Sequence, residues 1–135
     1  MIVFEKNNIE LELHLELKIL EIRWIGGMNE EDLKVLFYKT VETANKYAVE
    51  SILLDATYVE TGKSAAVYDT RLQPLFQQKI MLPTVKRIAR VSSGNSSYDE
   101  AFNQHYATLM KSNPAAFEFR NFNHHYEAMD WLTAK

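Results

Sequence analysis

The run Gly62-Lys63-Ser64 has the residue types of a phosphate cradle: a glycine that lets backbone approach an anion, a lysine for its charge and a hydroxyl for a metal. It follows an apolar strand and opens a helix, which is the context such a loop needs. The full pattern also requires a glycine five positions before Gly62, and Thr57 stands there. Without that glycine the backbone N–H groups do not wrap a phosphate, and Ser64 reads as the N-cap of the following helix. Gly26-Gly27 fails as a dinucleotide fingerprint for a different reason. Its third glycine is missing, and Glu30, Glu31 and Asp32 would repel a pyrophosphate at that helix start. The four histidines raise metal chemistry, but His124 and His125 are adjacent and diverge by about 100° on a helix. There is no His-x-x-x-His pair, and no acidic cluster is read beside any histidine, so no metal and no cofactor are expected.

Two further groups of residues bear on chemistry. Ser92, Ser93, Ser96 and Ser97 surround Gly94 at the carboxyl end of a strand, where open α/β sheets hold ligands. An ordinary polar loop with a helix cap has the same composition, and the Gly-x-Ser-x-Gly elbow of a hydrolase is absent. Arg90 lies beside Val91 in a strand expected to be largely interior. A charge there is either paired, or reaches a cleft at the strand end, or marks an edge strand with a wet face.

The elements that would position these side chains follow from periodicity. Ile9, Leu11, Leu13, Leu15 and Leu17 alternate with Glu10, Glu12, His14, Glu16 and Lys18, a period of two with one solvated face. Asn7-Asn8 is a hairpin turn after a short first strand. The phase slips at Ile19-Leu20, by a bulge or by a turn. Asn29 caps a helix carrying Leu33, Leu36, Phe37, Val41 and Ala44 at helical spacing. Residues 51–55 form a short buried strand, followed by a loop and a helix from Ser64 that Pro74 should kink. Strand 85–91 precedes a helix with the capping-box pair Ser97 and Glu100, stopped by Asn113-Pro114. Strand 116–120 leads to a last helix capped by Asn123 and carrying Ala128, Trp131 and Leu132. Alternating strands and helices predict parallel neighbours, with the first strands pairing antiparallel at one edge.

At 135 residues the chain fits a single domain, 1–135, with a genuine core. The absence of cysteine excludes disulfides, thiol nucleophiles and zinc–thiolate sites. No basic segment followed by an apolar run opens the chain, and no stretch is long enough to span a bilayer, so a cytoplasmic protein without membrane insertion is expected. Residues 1–32 hold eight acids and three bases, whereas residues 70–98 hold five bases and no acid. That asymmetry would steer an anionic partner, or the two ends complement each other within the fold or across a homodimer. No arginine-rich or glycine-rich recognition feature supports nucleic-acid binding.

With its order of strand–helix units, the chain resembles the SpoIIAA-like fold of STAS domains, the anti-sigma factor antagonists and sulphate-transporter domains. It is most similar to uncharacterised stand-alone bacterial members. The segments carrying the resemblance are Trp24-Ile25-Gly26, Leu53-Leu54-Asp55, Lys86-Arg87-Ile88-Ala89 and Phe122 with Ala128-Met129-Asp130-Trp131-Leu132. It implies an α/β domain of four β-α units, with a mixed sheet, antiparallel N-terminal strands at the edge and helices packed on the sheet. It also implies a protein-interaction or small-ligand module rather than a catalyst. In signalling members the switch is a serine in Asp-Ser-Ser-Gly; here the segment is Asp55-Ala56-Thr57-Tyr58, which leaves Thr57 as a weak substitute. Lipid-transfer proteins of related topology would imply an apolar pocket, for which Tyr58, Tyr68, Phe76, Phe102 and Tyr106 are candidate lining or simply core.

The expectation is therefore a non-enzymatic regulatory module that binds a protein partner, with a carrier or sensor of a small apolar or amphipathic ligand as the alternative. The surface candidates for either are Asp55, Thr57, Tyr58, Ser64, Arg90, Ser92 and Ser93.

Overall fold

A computed structural model of the chain describes residues 1–6, 9–24, 30–55, 57, 82–93, 99–100, 104 and 117–134. Six strands form one sheet in chain order: β1 (Ile2–Lys6), β2 (Ile9–His14), β3 (Ile19–Trp24), β4 (Ser51–Asp55), β5 (Arg87–Val91) and β6 (Glu118–Phe122). β1, β2 and β3 pair antiparallel, and β3, β4, β5 and β6 pair parallel. The mixed sheet with its antiparallel N-terminal edge is thus as the sequence predicts. Two helices are described end to end, α1 (Glu30–Lys46) and α2 (His125–Thr133). Residues 99, 100 and 104 are also helical, but the count of four β-α units rests on segments outside the described residues.

The first hairpin explains the phase slip. β2 stops at His14 rather than running through residue 18, and a turn over residues 15–18 leads into β3. The Leu17 N–H donates to the His14 carbonyl at 3.2 Å, and Lys18 adopts φ 56° to reverse the chain. Leu15 and Leu17, which continue the apolar alternation, project from this turn and are exposed. Ile19 and Leu20 need no bulge: they are successive residues of one strand facing opposite sides, and both are fully buried.

Both faces of the central strands are covered, which is why β4 is buried at all five positions. One face carries Leu11, Leu13, Leu20, Ile22, Ile52, Leu54 and Ile88 against Leu36 and Ala44 of α1. The other carries Ile19, Leu53, Ala89 and Val91 against Ala128 and Leu132 of α2. The C-terminal end of α1 is closed by a Schellman arrangement. Ala48 takes φ 51°, and the Val49 N–H reaches back to the Ala44 carbonyl at 2.9 Å. At the far end of α2, Arg87 donates to the Trp131 carbonyl at 2.8 Å, offsetting the negative pole of the helix. Arg87 and Arg120 also lie over the Trp131 ring, at 5.3 and 5.2 Å.

Two boundaries differ from expectation. The last strand is Glu118–Phe122, two residues beyond 116–120, and α2 starts at His125 with His124 as N-cap. Asn123 does not cap α2; its Oδ1 accepts from the Ser92 hydroxyl at 3.4 Å, tying the ends of β5 and β6 together. The expected cap Asn29 and the helix expected from Ser64 fall outside the described residues, and of the helix expected around His105 only residues 99, 100 and 104 are described, all helical.

Candidate functional site

α2 covers β4, β5 and β6 but leaves the antiparallel part of the same face to polar side chains. Strand alternation puts Glu10, Glu12 and His14 of β2 on that face, with Glu21 and Arg23 of β3 and Asp55 of β4. The register places Glu12 opposite Glu21, and Arg23 between Glu10 and Asp55. The face read from sequence as simply solvated is therefore partly enclosed. Glu21 is its centre, with a side chain 4% exposed.

Four groups converge on Glu21 and on the guanidinium beside it. His14 Nε2 lies 3.0 Å from Oε1, and His125 Nε2, from the first turn of α2, lies 3.0 Å from Oε2. Arg23 donates to Oε2 at 2.6 Å, to Glu12 at 2.8 Å and to Glu10 through both Nε and a terminal nitrogen. Burial alone would push the Glu21 carboxyl up. The hydrogen bond with His14 and the nearby charges of His125 and Arg23 outweigh it and hold the group below its ordinary value. For Arg23, burial works against the charge, and the hydrogen bonds it donates to Glu10 and Glu12, with the charge of Glu21, more than reverse it.

Asp55 ends β4 beside this cluster and is buried. Its Oδ1 accepts from the Thr57 backbone N–H at 3.0 Å and from the Thr57 hydroxyl at 2.5 Å, an Asx-type turn that fixes the exposed Thr57 at the strand end. One atom each from Glu21, Asp55 and His125 lie within 4.8 Å of one another, and so do atoms of Glu12, His14 and Glu21. Sequence reasoning missed both sets. The available signal was the alternation of Glu10, Glu12 and His14, together with a hairpin that sets Glu21 and Arg23 against them. The contribution of His125 comes from 104 residues away.

The remaining candidates divide. Arg90 is not on the surface: β5 is an interior strand, and the side chain is fully buried on the α1 face. Of the readings left open by sequence, pairing holds. Arg90 donates to Asp99 Oδ1 at 3.1 Å and approaches Asn121 Oδ1 at 3.5 Å. The same Asp99 oxygen accepts from the Ser93 N–H at 3.1 Å and hydroxyl at 3.0 Å. Ser92 and Ser93 are partly exposed at the end of β5. Tyr58 and Ser64, with the aromatic candidates Tyr68, Phe76, Phe102 and Tyr106, lie outside the described residues. At the opposite edge, an open cleft of about 250 Å³ is lined by Leu17, Glu50, Ser51, Lys86, Arg87, Leu132 and Ala134. Among the described residues no helix is long and apolar enough to cross a membrane.

No protein-family model matches the chain, and no curated protein matches it. Among solved structures it is similar to an uncharacterized protein of the DUF3478 family with a SpoIIAA-like fold from Shewanella loihica PV-4. The two share 22% identity with a TM-score of 0.53, over 96% of this chain and 98% of that one. The fold is SpoIIAA-like.

Proposed function

We propose that the chain is a non-enzymatic regulatory module of the STAS-like type that presents the carboxyl ends of β4 and β5 to a protein partner. The observation carrying this reading is the Asp55–Thr57 turn. A buried carboxylate at the end of an interior parallel strand fixes an exposed threonine through both its backbone and its side chain. Ser92 and Ser93 stand at the end of the neighbouring strand, so the three hydroxyl residues border one edge. The SpoIIAA-like topology supports the reading at the level of fold.

The test is site-specific photo-crosslinking in the native host. A crosslinker at Thr57 or Ser92 should capture the same protein, and one at the exposed Tyr38 of α1 should not. Equal capture from Tyr38, or no defined product from Thr57 and Ser92, would refute the assignment of this edge. The carrier reading is supported by the open cleft, which sets Lys86 and Arg87 beside Leu17 and Leu132. Arg90, being buried and paired, takes no part in it. A small mass retained in native mass spectrometry and lost on Arg87→Ala would support that alternative instead.

A further inference from the structure

The geometry points to a divalent transition-metal site of the zinc class, with Glu21, Asp55 and His125 as ligands and His14 orienting the Glu21 carboxylate. Four carboxylates, those of Glu10, Glu12, Glu21 and Asp55, gather on this face of the sheet. Among the described residues, the cations facing them are Arg23 and, 3.8 Å from Glu12, the Met1 ammonium. With the imidazoles deprotonated, as metal ligation requires, these described groups carry a formal charge of minus two, which one divalent ion balances.

The position of the ion follows from which carboxylates already have a cation. Glu10 and Glu12 are held by Arg23, and Glu12 also lies near Met1. Asp55 is 6% exposed, and among the described residues it has no cationic side chain within ion-pair distance; Thr57 donates two hydrogen bonds to its Oδ1. A buried carboxylate without a counter-charge is costly, and a metal ion bound there removes that cost. Its companions supply what zinc takes, two carboxylate oxygens and one imidazole nitrogen, leaving a fourth position for water. Ligand atoms around a tetrahedral zinc lie about 3.3 Å apart. These three already lie within 4.8 Å of one another, and the Glu21–His125 pair is at 3.0 Å, so side-chain rotation closes the set without moving the sheet. His125 is 45% exposed, giving the ion a route in. His14 holds Oε1 and Arg23 one side of Oε2, as outer partners that aim a ligating carboxylate. The ligands come from β3, β4 and α2, so a bound ion also clamps α2 to the sheet.

The test uses the full chain, stripped with a chelator and titrated with Zn²⁺ or Co²⁺. Native mass spectrometry should show one ion per chain, Co²⁺ should acquire a visible ligand-field spectrum, and the melting temperature should rise. His125→Ala and Asp55→Asn should lose the stoichiometry and the spectrum while keeping the parent far-UV circular dichroism in chelator. If Asp55→Asn does not fold, the His125→Ala arm decides, because that side chain is half in solvent. His14→Ala should keep one ion per chain but bind it about tenfold more weakly. Glu12→Gln should bind as the parent does. The proposal is overturned by absence of saturable binding to the parent or by parent-like binding to His125→Ala. It is equally overturned if Glu12→Gln abolishes binding while Asp55→Asn retains it, which would place the ion at Glu12, His14 and Glu21.

Discussion

Replacing Asp99 by alanine takes the carboxylate away from the Arg90 guanidinium while the guanidinium stays inside the protein. Arg90 has no exposed surface, and Asp99 Oδ1 accepts one bond from it and two from Ser93. Removing one partner of a buried ion pair costs ~3–5 kcal/mol, because the remaining charge is left desolvated. The lower end, about 3 kcal/mol, applies here because the guanidinium keeps other contacts, Asn121 Oδ1 at 3.5 Å among them. For a chain of 135 residues, an unfolding entropy of ~0.28 kcal/mol/K makes this a drop of about 10 °C in melting temperature. Arg90→Met keeps most of the side-chain volume and leaves behind a carboxylate that is 17% exposed and still accepts two bonds from Ser93, so it should cost less than Asp99→Ala, and adding Asp99→Ala to it should cost less than the same change in the parent. Urea unfolding of the parent, both single variants and the double variant, followed by circular dichroism, gives the coupling directly. A loss below about 1 kcal/mol in Asp99→Ala, or an Arg90→Met variant as unstable as Asp99→Ala, would refute the reasoning that a buried charge needs this carboxylate.

Three other outcomes follow from the same structure. Ala48→Gly relieves a left-handed residue at the Schellman end of α1 and should stabilise by about 1 kcal/mol in urea unfolding, whereas Ala48→Val should destabilise. Leu36→Ala opens a cavity between α1 and the sheet at a fully buried position and should cost ~2–5 kcal/mol in the same assay. Glu21 has a folded pKa below its unfolded one, so its charge stabilises the fold above the unfolded value, and that share is lost as the pH falls through the folded value. In chelator, the parent should therefore lose more stability than Glu21→Gln over the acid range, and parallel pH–stability curves would contradict the placement of Glu21.

Local pattern carried the sheet and failed wherever two distant segments meet. The boundaries of β4 and the burial of all its positions follow from Ile52-Leu53-Leu54, an apolar run that only a strand covered on both faces accommodates. The antiparallel hairpin was legible for a similar reason, because Glu10, Glu12 and His14 alternate with three core residues. That alternation distinguishes only two faces, and the solvated reading of the polar one assumed that nothing covers it. His125 overturns the assumption from 104 residues away: once α2 packs Ala128 and Leu132 onto Leu53 and Ala89, its first turn is carried over Glu21. A period of two thus identifies which residues share a face but not whether a helix closes over them. Arg90 shows the same limit from the opposite side. Its position in an interior strand demanded a partner, and spacing could not single out Asp99, since the bond depends on Asp99 being brought to Arg90 and Ser93 in the assembled fold. The cationic balance of the Glu21 cluster is likewise a property of the assembled face, where carboxylates from β2, β3 and β4 that are separately unexceptional together create a demand for positive charge.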